Sequence, residues 1–198
     1  MTKEALIIFV KNPELGKVKT RLAATVGDEK ALEVYKKLLE YTRQVTKNIS
    51  QDKWVFYSDR IDYNDLWDND HYHKDVQSGN DLGRKMLNAF KQCFDKGYET
   101  VCIIGSDMME IDKLTIQKAF ESLKVNDLVI GPAKDGGYYL LGMNKLHPTL
   151  FEGKKWSTGS VLNDTLSNVE RQNLSYIKLE TMNDIDTESD WNTYLGSL

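Results

Sequence analysis

Hydrophobic residues in this chain fall into two kinds of run. Short continuous ones cover Glu4 to Val10, Trp54 to Tyr57, Val101 to Ile104, Leu128 to Ile130 and Tyr138 to Met143. They are rich in β-branched and aromatic residues and do not alternate with polar ones, the pattern of strands buried on both faces beneath helices. Between them, apolar residues recur with the helical period: Ala31, Val34, Tyr35, Leu38, Thr42, Val45 and Ile49 after an N-cap at Asp28, and Leu82, Met86, Ala89, Phe90 and Cys93 up to Gly97. A third set, Ile116, Ala119, Phe120 and Leu123, follows a cap at Asp112. Further on, the pattern predicts a helix over 157–169, a strand over 174–179 and a helix over 187–194. The last opens on Thr187-Glu188-Ser189-Asp190, which has the form of a capping box. Lys11 to Gly27 is expected as a long loop, and 59–75, polar and rich in Asp, Asn, Tyr and His, as a segment without firm structure. Strands alternating with helices imply a three-layer α/β/α architecture with a mostly parallel central sheet, formed by one domain over 1–198.

Composition narrows the partners. With 40% hydrophobic and 28% charged residues, the 198-residue chain is ordinary for a globular domain with one substantial core. A net charge of -4 argues against nucleic acid, because backbone binding draws on an excess of Lys and Arg. Any anion site must therefore be local. Cys93 and Cys102 stand far apart in apolar contexts and form neither a disulfide framework nor a C-x-x-C motif. No apolar run approaches the roughly 20 residues of a membrane helix. The start of the chain also shows no charged-then-apolar signal pattern, and together these predict a cytoplasmic protein.

Candidate chemistry gathers where the apolar runs end, since ligands of open α/β sheets bind at the carboxyl ends of strands. After the first run, Lys11, Lys17, Lys19 and Arg21 surround Gly16. They form a cradle for a di- or triphosphate with neither the P-loop nor the G-x-G-x-x-G spacing. Gln77-Ser78-Gly79-Asn80-Asp81-Leu82-Gly83 offers an amide for a base edge and Asp81 for a ribose; it equally suits an Asx turn and a helix cap. Two runs end in carboxylates, Gly105-Ser106-Asp107 and Gly131-Pro132-Ala133-Lys134-Asp135-Gly136-Gly137-Tyr138-Tyr139. Hard cations such as magnesium or manganese take oxygen ligands, so Asp107 and Asp135 are the candidate metal residues, expected at the carboxyl ends of neighbouring strands with the metal between them. Trp156-Ser157-Thr158 serves as a stacking ring with hydroxyl donors or as an aromatic anchor and cap. Asp184 and Asp186 of Asp184-Ile185-Asp186-Thr187 serve as a metal or acceptor contact or as a turn and cap. The three His show no metal-ligand spacing, and no Ser-His-Asp or Cys-His arrangement is legible.

Taken in order, these segments, with the string Gly131 to Tyr139 as the most specific, resemble a bacterial family of glycosyltransferase-like proteins, some encoded beside radical-SAM enzymes. That family is grouped with the nucleotide-diphospho-sugar transferases of the GT-A fold. More distantly the chain is similar to 2-phospholactate guanylyltransferase and molybdenum-cofactor guanylyltransferase. The resemblance implies a Rossmann-like nucleotide-binding half, a divalent cation (Mg2+ or Mn2+) held partly by Asp107, and transfer from a nucleotide-activated donor. Relatives commonly carry a small residue and then Pro where this chain has Met108-Met109, so the usual D-x-D is reduced to one Asp and the second metal ligand stays open.

The resulting expectation is a metal-dependent transferase that passes a sugar from a nucleoside-diphosphate sugar to a small acceptor. In it Lys11, Gly16, Lys17, Lys19 and Arg21 hold the phosphates, and Gln77 and Asp81 meet the base or ribose. Asp107 holds the metal, and Asp135 is either a second ligand or the base that takes the acceptor proton. Gly136, Gly137, Tyr138, Trp156, Ser157, Thr158 and Asp186 face the acceptor. Nucleotidyl transfer from a nucleoside triphosphate onto a phosphorylated small molecule uses the same cradle, and a non-catalytic nucleotide-binding protein is the third alternative.

Overall fold

A computed structural model, which describes residues 3–196, sets the apolar runs side by side in one sheet. The strands are β1 (Glu4–Val10), β2 (Asp52–Tyr57), β3 (Tyr72–Val76), β4 (Thr100–Ile104), β5 (Leu128–Pro132), β6 (Tyr138–Met143) and β7 (Tyr176–Lys178). Their spatial order is β3-β2-β1-β4-β6-β5-β7. All pairs are parallel except those of β6, which runs antiparallel to both β4 and β5.

Helices cover both faces, which explains why the strand runs do not alternate. On one face Leu6, Ile8 and Val10 of β1 pack with Leu22 of α1 (Thr20–Val26), Val34 and Leu38 of α2 (Asp28–Thr46), Phe120 of α4 (Lys113–Ser122) and Trp191 of α6 (Glu188–Leu195). On the other face Ala5 and Ile7 meet Met86 and Phe90 of α3 (Leu82–Asp95) and Val169 of α5 (Val161–Arg171). The expected three-layer α/β/α architecture is present.

Several caps follow the sequence. Asp112 accepts from the Thr115 N–H at the start of α4, and Thr187 and Asp190 form the reciprocal capping box of α6. Other segments depart from it. The expected loop 11–27 contains α1, a seven-residue helix with Leu22 as its one buried side chain, too short to show a period. Within the polar segment 59–75, β3 begins at Tyr72 and forms an edge strand on β2; its charged sequence is the kind that edge strands carry. Gly27, not Asp28, caps α2, and α5 starts at Val161, later than the expected 157.

The largest departure concerns β6. Asp107 and Asp135 follow strands that are not neighbours, because β6 lies between β4 and β5. Its place is fixed by close fits. A Cβ on Gly142 would stand 2.5 Å from Cys102 Sγ and 2.7 Å from Val129 Cγ1, and one on Gly131 2.5 Å from the Tyr139 ring. Gly142→Ala is therefore expected to destabilise the protein by about 1–3 kcal/mol through overpacking. Urea denaturation measures this; an unchanged midpoint would show that β6 can yield where the structure leaves no room.

Candidate functional site

Residues 11–19 leave the carboxyl end of β1 and are pinned from below at two points. The Asn12 side chain, buried, accepts from the Asp59 N–H (3.1 Å) and donates from Nδ2 to the Arg60 carbonyl (2.9 Å), fixing the loop to the end of β2. The Tyr35 hydroxyl, carried by α2 into the core, accepts from the Lys11 N–H at 2.8 Å and lies 3.3 Å from Ser106 Oγ. Burial, with Asp107 adding to it, pushes the Tyr35 hydroxyl pKa up, so it remains a neutral phenol. It ties the first loop to the segment that carries Asp107.

The loop ends at Lys19, which caps α1 in the left-handed region (φ 48°). Its side chain is 4% exposed, and Nζ stands 3.1 Å from Asp107 Oδ1 and 3.1 Å from Asp186 Oδ1. Arg21, 68% exposed, pairs with the other Asp186 oxygen. Lys11, Lys19, Thr20, Arg21, Tyr35, Asp107 and Asp186 line a cleft of about 90 Å³. A larger hollow of about 320 Å³ on the outer side of α3, bordered by Asn88, Lys91, Gln92, Asp95 and Lys96, holds an exposed pair one helical turn apart, Lys91 with Asp95, with no buried cation between carboxylates.

Asp186 reaches the cleft because residues 182–185 bridge the gap opened by β6. The Met182 N–H donates to the Pro132 carbonyl (3.1 Å), the Lys134 N–H to the Met182 carbonyl (3.0 Å), and the Ile185 N–H to the Asp107 carbonyl (2.9 Å). Met108 pairs with Asp184 in an isolated antiparallel bridge, and its side chain is buried. Met109 packs partly buried against the same core, and the carboxylates brought beside Asp107 come from the 184–186 segment.

Asp184 stands among the carboxylates of Asp107, Asp135 and Asp186. Burial first, then these three charges, raise its pKa to about 7, with Lys19 acting against them. No group of three or more acidic, His or Cys side chains is gathered in ligating geometry among the described residues. The donor set still fits a hard divalent cation: oxygen ligands only, with the Lys19 ammonium as a stand-in cation between Asp107 and Asp186.

The remaining predicted residues are placed elsewhere or play structural parts. Lys17 is exposed and pairs with Glu14 at 2.6 Å, while Gly16 has φ 73° in the turn between Glu14 and Lys17. Gln77 donates its amide to the Val10 and Phe56 carbonyls, at the carboxyl ends of β1 and β2. Asp81 caps α3 by accepting from the Arg84 N–H. Asp135 is exposed and accepts from the Gly137 N–H at 2.8 Å, shaping its own turn. That turn needs its glycine: Gly136 has φ 88°, and a Cβ there would stand 2.2 Å from the Gly159 carbonyl oxygen. The β5–β6 turn thus docks on Gly159, just after Trp156-Ser157-Thr158, and on the start of α5, where the Leu162 N–H donates to the Gly136 carbonyl. Trp156 itself packs where a Cβ on Gly83 would meet its ring at 2.1 Å, Ser157 has φ 60°, and Thr158 bonds the Lys155 carbonyl. Tyr138 opens β6 half-buried.

Residues 39–158 match the model of a family described as an uncharacterized protein conserved in bacteria, DUF2064. Over 98% of its length the chain is similar to a crystal structure from Desulfovibrio desulfuricans G20, provisionally named a nucleotide-diphospho-sugar transferase. The two share 35% identity with a TM-score of 0.91, and the match covers 87% of that chain. A 4-diphosphocytidyl-2C-methyl-D-erythritol synthase from Anaerococcus prevotii matches with TM-score 0.64 at 15% identity, covering 98% of this chain and 99% of that one. A Mycobacterium tuberculosis H37Rv protein solved with manganese matches with TM-score 0.55 at 12% identity over 100% of both chains. The fold is that of the nucleotide-diphospho-sugar transferases. No curated protein matches the chain in sequence.

The raised Asp184 pKa sets a stability window. Below about pH 4 its carboxyl is protonated whether the chain is folded or unfolded and contributes nothing; between about pH 4 and 7 the folded state holds the proton that the unfolded state releases, so stability falls as pH rises. Asp184→Asn removes this loss. In metal-free buffer the variant should match wild type near pH 4 and exceed it at pH 8 by up to about 4 kcal/mol. Melting curves across that range test it, and a gap that does not widen with pH would show that Asp184 is not held among like charges.

Proposed function

We propose, on the premise that this chain belongs to the bacterial family DUF2064, that it is a metal-dependent transferase acting from a nucleotide-activated donor. In our reading it passes a sugar from a nucleoside-diphosphate sugar to a small acceptor. The observation that carries this is the cleft at the strands' carboxyl edge, where Lys19 and Arg21 oppose Asp107 and Asp186 in a protein of net charge -4. A polyphosphate needs the cations and a divalent metal needs the carboxylates; few other ligands need both at once. Similarity to the Desulfovibrio desulfuricans protein supports the donor class.

In this reading Lys11, Lys19 and Arg21 take the phosphate oxygens. Asp107, with Asp186 or Asp184, holds the cation, which when bound neutralises charge on the departing diphosphate. The acceptor oxygen forms its bond to the sugar carbon as the carbon–phosphate-oxygen bond breaks. Asp135, exposed on the turn that packs on Gly159, takes the acceptor's proton or serves as a further ligand. Gln77 holds the ends of β1 and β2, leaving only its carbonyl oxygen free for a base. A cytoplasmic location belongs to the same reading, and the two buried free thiols suit a reducing compartment. Likeness to a diphosphocytidyl synthase favours a second reading, nucleotidyl transfer with pyrophosphate leaving.

A thermal-shift panel of nucleotides and nucleotide sugars, with and without manganese, tests the class, since a ligand of the folded state raises its melting temperature. Wild type should respond most to nucleotide and manganese together. Asp107→Asn should lose the manganese-dependent part with little change in basal stability, because Lys19 keeps Asp186 as its partner. Arg21→Ala, at an exposed side chain, should weaken nucleotide binding and leave folding intact. Release of a nucleoside diphosphate identifies sugar transfer and release of pyrophosphate nucleotidyl transfer, while tight binding without turnover would leave a nucleotide-binding protein. Manganese-dependent binding that survives in Asp107→Asn would remove the metal site from this reading.

A further inference from the structure

Lys19 is an unusual phosphate ligand, because its ammonium is already taken. The side chain is 4% exposed, and Nζ lies 3.1 Å from one oxygen of Asp107 and 3.1 Å from one oxygen of Asp186. Arg21 holds the second Asp186 oxygen. The two cations expected to meet phosphate are thus bound to the carboxylates expected to meet metal. Backbone geometry keeps the pairing in place: Lys19 caps α1 in the left-handed region, and the loop before it is tied down through Asn12 and Tyr35.

Three charge states of such a cleft can be ranked by Coulomb's law. A divalent cation entering alone must share Asp107 and Asp186 with an ammonium and a guanidinium, or push both into a cleft with no other anion to receive them. A polyphosphate entering alone meets two carboxylates and cations already neutralised by them. Metal and polyphosphate together allow a clean exchange, in which the carboxylates turn to the metal and Lys19 and Arg21 turn to the phosphates. We propose that Lys19 competes with a divalent cation for Asp107 and Asp186, and that phosphate oxygens relieve this competition, so that the site takes metal and polyphosphate as one unit. This rests on the metal-dependent reading above and adds to it a residue that sets which form of the ligand is accepted.

The test uses Mn2+ alone, followed by the electron paramagnetic resonance signal of the free ion, with no nucleotide and no turnover. Lys19→Met keeps the buried hydrocarbon stem and removes the competing charge, so it should bind Mn2+ roughly tenfold tighter than wild type, within the usual range for coupled sites. Arg21→Gln, at an exposed side chain, should shift affinity in the same direction by less, and it keeps the test open if Lys19→Met does not fold. Lys30→Met removes an equal charge from the surface of α2, where Lys30 pairs with Glu33, and should stay within about twofold of wild type. In the reciprocal arm, calorimetry with inorganic pyrophosphate in metal-free buffer should show tighter binding in Asp186→Asn than in wild type, because Lys19 and Arg21 lose the shared partner.

Mn2+ binding in Lys19→Met and Arg21→Gln that is no tighter than in wild type would overturn the exchange while leaving the transferase reading intact. A gain in Lys30→Met equal to that in Lys19→Met would overturn it as well, by reducing it to net charge. If neither wild type nor Lys19→Met binds Mn2+ at all, both this inference and the metal-dependent reading fall. Failure of every nucleotide in the thermal panel, with the Mn2+ gain present, would remove the donor class and leave the competition standing.

Discussion

β6 runs against its two neighbours, and most of the site follows from that one antiparallel insertion. In a purely parallel sheet the segments after β4 and β5 would leave adjacent strands side by side. Here β6 lies between β4 and β5, and main-chain hydrogen bonds join residues 182–185 to Pro132 and Lys134 on one side and to Asp107 on the other. Those bonds are local and geometric. Their chemical result is that Asp184 and Asp186 arrive beside Asp107, from a point in the chain almost 80 residues further on.

Why the carboxylates tolerate one another is an electrostatic question. Like charges in a partly buried cluster repel more strongly than in water, because the surrounding dielectric is lower. Two responses are visible. Asp107 and Asp186 share a buried lysine, and Asp186 adds an arginine, so those charges are compensated. Asp184 has no such partner among the described residues and takes the other course, holding a proton up to about pH 7. On the proposed reading, a cluster that imports a lysine and protonates one member is one that a divalent cation would stabilise.

The layers, the buried runs and several helix caps were legible because each rests on a local rule: continuous apolar runs under two helical layers, Asp112 at an N-cap, Thr187 and Asp190 in a box. That Lys19 meets Asp107 at one edge of the sheet was legible as well, because the segments after β1 and β4 leave the same edge of two parallel neighbours. What the pattern concealed was non-local. Tyr35 reads as one more apolar position on α2, yet its hydroxyl holds Lys11 and meets Ser106. Asn12 has no periodic signature and is buried all the same. The β6 insertion leaves no trace in the strand's own residues, because a strand buried on both faces looks alike whichever way it runs; only its glycines, Gly142 and the nearby Gly131, mark the close fits that lock it. Lys17 and Lys19 are indistinguishable by spacing, but one turn of chain sends Lys17 outward to Glu14 and Lys19 inward to Asp107.

The size of the cleft bears on how a donor would lie. At about 90 Å³ it falls well below the roughly 300–1,000 Å³ typical of pockets that enclose a whole ligand. On the proposed reading, therefore, the charged part of the donor and the metal occupy the cleft, while the nucleoside lies outside it along the carboxyl edge. That edge is bordered on one side by the end of β2 and the Gln77 to Asp81 turn, and on the other by the Gly136 turn docked on residues 156–160. An arrangement of this kind separates two tasks. On that reading, affinity for polyphosphate and metal would come from the ion-paired groups of the cleft, whereas discrimination among bases, sugars and acceptors would be left to turns at the surface. Changes in those turns would leave the ion pairs beneath them undisturbed, so on the same reading the fold would constrain the donor's charged centre more tightly than its acceptor.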